Sequence, residues 1–206
     1  MKKNLVLAVM LLVSSSAFAQ SEPFIGIGLG NGQATMKTKV SGTISGTSIN
    51  TTLSESDSEA TISVLGGTVI DNTHKLSIGY TKYNTEAGSS MKSIDLGYSY
   101  YIDQSSLQRQ NHNWKPFVSL GYMMNSYSID IEDTSYTLDI DTKALMLGFG
   151  TDYKIDEKSF LTIGYDFSLS TSGSESIAIA DGADNIKIDL EFDKMSRLYF
   201  GYNFKF

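Results

Sequence analysis

The stretch Leu198-Tyr199-Phe200-Gly201-Tyr202-Asn203-Phe204-Lys205-Phe206 alternates without a break. Leu198, Phe200, Tyr202, Phe204 and Phe206 share one side of an extended chain. Tyr199, Gly201, Asn203 and Lys205 share the other, because successive side chains in a strand point to opposite faces. The first face is more aromatic than a solvated sheet tolerates. Side chains that meet lipid outside and a polar lumen inside produce this pattern.

Working back from that segment, the same alternation recurs. Ile25, Ile27 and Leu29 interleave with Gly26, Gly28 and Gly30, and Ile62 and Val64 open a second strand that runs to about Ile70. Leu76, Ile78 and Tyr80 form a third, and Ile94, Leu96, Tyr98, Tyr100 and Ile102 a fourth. Val118, Leu120, Tyr122 and Met124 form a fifth after Pro116, and Leu145, Leu147 and Phe149 a sixth. Leu161, Ile163, Tyr165, Phe167 and Leu169 form the seventh, and the opening segment is the eighth. The opposite faces are rich in glycine and serine, which suits the crowded interior of a narrow barrel. The expected fold is therefore all-β: an eight-stranded antiparallel up-and-down transmembrane β-barrel. Short turns at Asp71-Asn72-Thr73 and Asp156-Glu157-Lys158 alternate with longer polar connections at 37–59, with room for a hairpin inside it, and at 84–90. The Asp103–Lys115 connection is longer than this rhythm expects. Tyr80, Tyr98, Tyr100, Tyr122, Tyr153, Tyr165 and Tyr202 lie on the apolar faces, as an aromatic girdle requires, and Trp114 precedes a strand.

The start of the chain agrees. Lys2 and Lys3 lead into the apolar run Leu5–Val13 and then Ala17-Phe18-Ala19. This is the pattern of a secretory signal peptide over 1–19, with cleavage after Ala19 set by the small residues Ala17 and Ala19, leaving 20–206 as one barrel domain. No cysteine is present, so a disulfide framework is excluded. The net charge of −7, more negative still without Lys2 and Lys3, offers no basic patch for nucleic acid.

Tyr199, Gly201, Phe204 and Phe206 resemble the C-terminal signature of bacterial outer-membrane barrels, and over residues 20–206 the chain resembles the OmpA-type and opacity-type families. The resemblance implies the outer membrane of a Gram-negative bacterium as location, and outer-membrane lipid as surroundings. It implies that the barrel assembly machinery reads the last strand, with periplasmic chaperones as earlier partners. It further implies a non-catalytic surface or structural role, with adhesion or recognition of a host or cell-surface ligand through the loops. The alternative is an OmpW-like narrow channel for small apolar molecules, which inward Tyr101, Met123 and Met146 would suit.

Beyond the membrane part, Ile129 and Ile131 alternate with Asp130 and Glu132, and Tyr136, Leu138 and Ile140 with Thr137, Asp139 and Asp141. Ile177 and Ile179 face Ile186, Ile188, Leu190 and Phe192 across Asp181-Gly182-Ala183-Asp184. Both segments read as extracellular hairpin loops that prolong the barrel. The apolar positions of the fifth strand change from even to odd on the way up, which predicts a bulge or twist there. The acids Asp130, Glu132, Asp139, Asp141, Asp189, Glu191 and Asp193 read as a solvated charged face, since period-two spacing spreads carboxylates along a strand and not around an ion.

Asp95, Asp152, Asp166, Arg197 and Lys205 fall on inward positions. Asp166 and Arg197 lie on adjacent strands, so an ion pair is expected, with Asp95 reaching in from across the lumen. The only histidines, His74 and His112, fall in connections at the periplasmic end. No serine–histidine pair, histidine–cysteine metal cluster or phosphate loop is present. No catalytic activity, metal or cofactor is expected.

Overall fold

The computed structural model describes residues 21–85, 89–102, 113–130, 137–181 and 184–206. The cleavage-site residues Ala17 and Ala19, His112, Glu132 and most of the Asp103–Lys115 connection lie outside them. Nine strands follow in order: β1 (Ser21–Ile44), β2 (Thr47–Ile70), β3 (His74–Tyr83), β4 (Ser89–Tyr101), β5 (Trp114–Asp130), β6 (Thr137–Lys154), β7 (Ser159–Ser172), β8 (Ser174–Asp181) and β9 (Asp184–Lys205). All ladders are antiparallel, and β9 pairs with β1 from Lys205↔Phe24 to Asn185↔Thr43, which closes the sheet. The ring has eight positions because β8 prolongs β7. Both lie on the same side of β9, separated by Gly173 at φ 140°. Thr171 Oγ1 donates to the Phe192 and Asp193 carbonyls at 2.6 and 3.0 Å across that joint.

Outside the ring lies an apolar band. Ile27, Leu29, Phe149 and Phe200 are more than half exposed, which only an apolar solvent makes stable. Phe204 and Phe206 belong to it, while Gly201 and Asn203 are buried inside. No helix among the described residues is long and apolar enough to cross a membrane.

Three expectations are refined or corrected. First, the hairpin allowed for inside the polar segment 37–59 takes up the whole of it, as the upper part of one tall β1–β2 pair. Its strands β1 and β2 have 24 residues each and meet at a two-residue turn, with Ser45 at φ 51° and Gly46 at φ 78°. Two successive positive φ values match the twist of the flanking strands. Second, the 84–90 connection is short. β3 ends at Tyr83 and β4 begins at Ser89, so this part of the rim is low, while β2 continues past its last β3 partner, Thr61.

Third, β5 needs no bulge. It keeps one register with β6 from Trp114↔Tyr153 to Asp130↔Thr137. Its inward set simply continues upward as Met123, Asn125 and Tyr127, and the interior turns apolar where the exterior meets water. Register shifts lie instead on β7, where Leu169 is the extra residue between the partners of Leu145 and Met146, and on β9. The β1–β9 register shifts between Thr35/Met36, whose partners are Lys194 and Phe192, so Asp193 is the extra residue. A one-residue insertion exchanges faces. Phe200 and Tyr202 point out below it, whereas Phe192 and Leu190 point in above it.

Candidate functional site

The lumen is filled in layers. At the short-turn end Phe24, Val69, Tyr101, Phe117 and Phe160 pack together, with Phe24 and Phe160 edge to face at 5.5 Å between ring centres. Lys75 enters this layer with its ammonium 4.4 Å from the Phe117 ring centre and 2.8 Å from Asp152 Oδ2. Asp152 also accepts hydrogen bonds from the Tyr101 hydroxyl and, at 2.7 Å, from Thr162 Oγ1. Asn203 Nδ2 donates to Thr162 Oγ1 at 2.9 Å. A carboxylate buried to this degree requires such donors.

Above it lies a cavity of about 110 Å³, lined by small side chains including Gly28, Ser77, Gly97, Ser119 and Gly201. Its roof holds the second charged cluster. Arg197 Nη1 donates to Asp95 Oδ2 at 2.8 Å and to Thr81 Oγ1 at 2.9 Å, while Nη2 donates to Asp166 Oδ2 at 3.2 Å. Thr81 Oγ1 in turn donates to Asp95 Oδ2 at 3.1 Å. Arg197 Nε is buried without a partner and faces a cavity able to hold ordered water. The planar fork of one guanidinium holds two carboxylates that alone would repel. Gly148 makes room for this, since a Cβ there would collide with Asp166 Oδ1 and Ser119 Oγ.

Over the cluster, Tyr83, Met91, Met123, Ala144, Met146 and Met195 form an apolar layer, and Ile140, Leu190 and Phe192 another. Tyr101 belongs to the lower apolar layer, and Met123 and Met146 belong to the layer over the cluster and also line the cavity.

The structure brings Asp95, Asp166 and Arg197 together, spanning β4, β7 and β9. Sequence reasoning placed Asp152 inside but missed its partner Lys75. Alternation from Leu76 puts Lys75 on the inward face, yet β3 and β6 are not neighbours, so no ladder rule joins the two. Lys205 reaches Glu22 near the lower rim. Tyr199 is inward, its ring lying over Gly164 of β7, where a Cβ would collide with it. His74 is the first residue of β3, not part of the turn. It stacks on Tyr98 at 5.9 Å between ring centres, with Nδ1 2.8 Å from the Tyr98 hydroxyl.

Three of the hairpin acids are matched by lysines, Lys37–Asp193 at 2.9 Å, Lys39–Glu191 at 3.3 Å and Lys187–Asp189 at 2.7 Å, while Asp139 accepts from the Ser128 hydroxyl. Hydrogen bonds from Lys187 and Ser176 hold the Asp189 carboxyl below its ordinary range. Among the described residues no group of three or more His, Cys, Asp or Glu could hold a metal ion.

No family model and no curated protein matches the chain. Solved structures do. The outer membrane protein OprG from Pseudomonas aeruginosa superposes with a TM-score of 0.60 at 16% identity, covering 90% of this chain and 96% of that one. Neisserial surface protein A superposes with a TM-score of 0.52 at 15% identity, covering 91% of this chain and 99% of that one. The chain has the fold of a small outer-membrane β-barrel. Toward the barrel's short-turn end, Trp114 and Tyr153 lie 4.7 Å apart between ring centres, and on β3 and β4 His74 contacts Tyr98 and Tyr100. This is the position of an interfacial aromatic girdle.

Proposed function

We propose that this chain is a closed, non-catalytic barrel of a Gram-negative outer membrane that presents its tall hairpins at the cell surface. The observation carrying this reading is the layered lumen: two charged clusters and three apolar layers follow one another along the bore, around a cavity of only about 110 Å³. An eight-stranded barrel is just narrow enough to be filled this way. Orientation follows the rule that short turns face the periplasm and long connections face outward. The taller walls, β1–β2, β5–β6 and β8–β9, then carry a polar exterior for adhesion or recognition of another cell. Assembly would use the last strand as the recognition element of the barrel assembly machinery, with Phe204 and Phe206 outward.

The test is single-channel recording with purified protein in planar bilayers, beside protease shaving of intact cells. Silent bilayers and cleavage within 37–59 are the expected results. Steady unitary currents would replace this reading with the narrow-conduit one, and full protection of the hairpins would remove the surface role.

A further inference from the structure

A second cavity, of about 180 Å³, lies at the tall end above the apolar seal. It is separate from the charged clusters of the lumen, and its chemistry is different. Its floor is a row of inward side chains at one level, since Tyr83 pairs with Met91 and Met91 with Tyr127. Tyr83 and Met91 are almost fully buried, and Tyr127 stands edge to face with Phe192, 5.8 Å between ring centres at 86°. One side is therefore built of aromatic faces and polarizable thioethers.

The facing side is β2, which carries Asp57 and Glu59 on the same inward face as Thr61. Glu59 is paired with Gly32, whose missing side chain leaves room for the Tyr83 ring, and Asp57 is paired with the small Ala34. Neither carboxylate has an ion pair or hydrogen bond among the described residues. By contrast, Lys37 and Lys39 sit at the alternate, outward positions of β1 and already hold Asp193 and Glu191. On this side β3 stops at Tyr83, while β2 continues past its last β3 partner, Thr61. Asp57 itself is exposed.

We propose that this vestibule binds a small organic cation with an apolar body, such as an aryl- or alkylammonium. The apolar part would lie over Met91, Tyr83 and the Tyr127–Phe192 pair, where aromatic faces attract a cationic headgroup's neighbours and desolvate them. The ammonium would be held by Asp57 and Glu59 through charge-assisted hydrogen bonds. An anion meets two carboxylates, and a neutral alcohol can offer only one uncharged hydrogen bond where the ammonium offers three charge-assisted ones. Selectivity for positive charge follows. The site needs no conducting bore, so it stands or falls apart from the closed-lumen reading.

The test uses the full chain purified from membranes and placed in lipid nanodiscs. It is titrated calorimetrically with 2-phenylethylammonium chloride, with 2-phenylethanol and with phenylacetate, against empty discs. The cation is expected to bind, and the alcohol and anion are not. Two variants are titrated beside it, each first checked for the barrel's heat-modifiable mobility on gels. Asp57→Asn combined with Glu59→Gln keeps shape and removes charge, and should weaken cation binding about tenfold or more, the loss of a charge-assisted pair. Ala34→Leu fills the cavity and should abolish binding with the charges intact. No binding at millimolar cation overturns the proposal. So does equal binding of the alcohol, or cation binding that survives both variants.

Discussion

Arg197 on β9 donates to Asp95 on β4, 102 positions earlier in the chain, at 2.8 Å across the barrel. The same guanidinium reaches Asp166 on the adjacent strand β7 at 3.2 Å. It therefore ties opposite walls of the ring with a single side chain. Replacing it by methionine leaves two carboxylates facing each other without a cation, and an uncompensated buried charge typically costs about 3–5 kcal/mol. Arg197→Met should lower the urea midpoint in lipid vesicles, followed by Trp114 fluorescence. Adding Asp95→Asn and Asp166→Asn should recover most of the loss. Arg197→Lys should fall between, because an ammonium is a point charge and cannot span both partners in one plane. A midpoint unchanged in Arg197→Met would show that the pair contributes nothing.

Asp193 is the residue that lets β9 present Phe200 to the outside and Phe192 to the inside. Deleting it restores an even ladder and turns Phe192, Leu190 and Ile188 toward water. The expected result is a barrel that still shows heat-modifiable mobility but whose upper hairpin becomes protease-sensitive. An exterior made apolar in this way should also promote association between molecules. Unaltered protease resistance would mean that the bulge does not set the faces.

Tyr199 lies over Gly164 on the neighbouring strand, where any Cβ collides with its ring. Gly164→Val should destabilise by about 1–3 kcal/mol, the usual cost of overpacking. In a Tyr199→Ser background the same change should cost much less, since residues in contact are not additive. The double-mutant cycle in urea measures this coupling, and additive losses would exclude it.

Asp156, in the turn between β6 and β7, accepts from the backbone N–H of Lys158 and Ser159, both at 2.7 Å. The Ser159 hydroxyl first, and these N–H groups after it, hold the carboxyl below the ordinary 3.8. A folded value below the unfolded one means stability that is complete above the unfolded value and disappears as pH falls through the folded one. Asp156→Asn should flatten the acid side of the stability profile below about pH 4. A profile identical to the parent would exclude this turn as an acid-sensitive element.

How far the sequence reaches is visible in particular residues. Alternation through Leu198–Phe206 and seven other segments determined the strands, their inward and outward faces and the closed ring, because a period of two has one reading when one face is lipid-like. It also placed Asp95, Asp166 and Arg197 inside. Other features belong to the tertiary structure. Lys75 meets Asp152 across strands that share no ladder, a distance that only barrel curvature sets. The 37–59 segment lacks apolar alternation because both its faces meet water for much of its length, yet the pairing of β1 with both β2 and β9 makes it strand. The change of parity in β5 suggested a bulge where there is none, whereas β9, whose parity never changes, contains one at Asp193. Sequence periodicity records which face is apolar at each level. Whether that face looks outward to lipid or inward to the vestibule above the apolar layers depends on the register with the neighbouring strand, and only the closed ring supplies it.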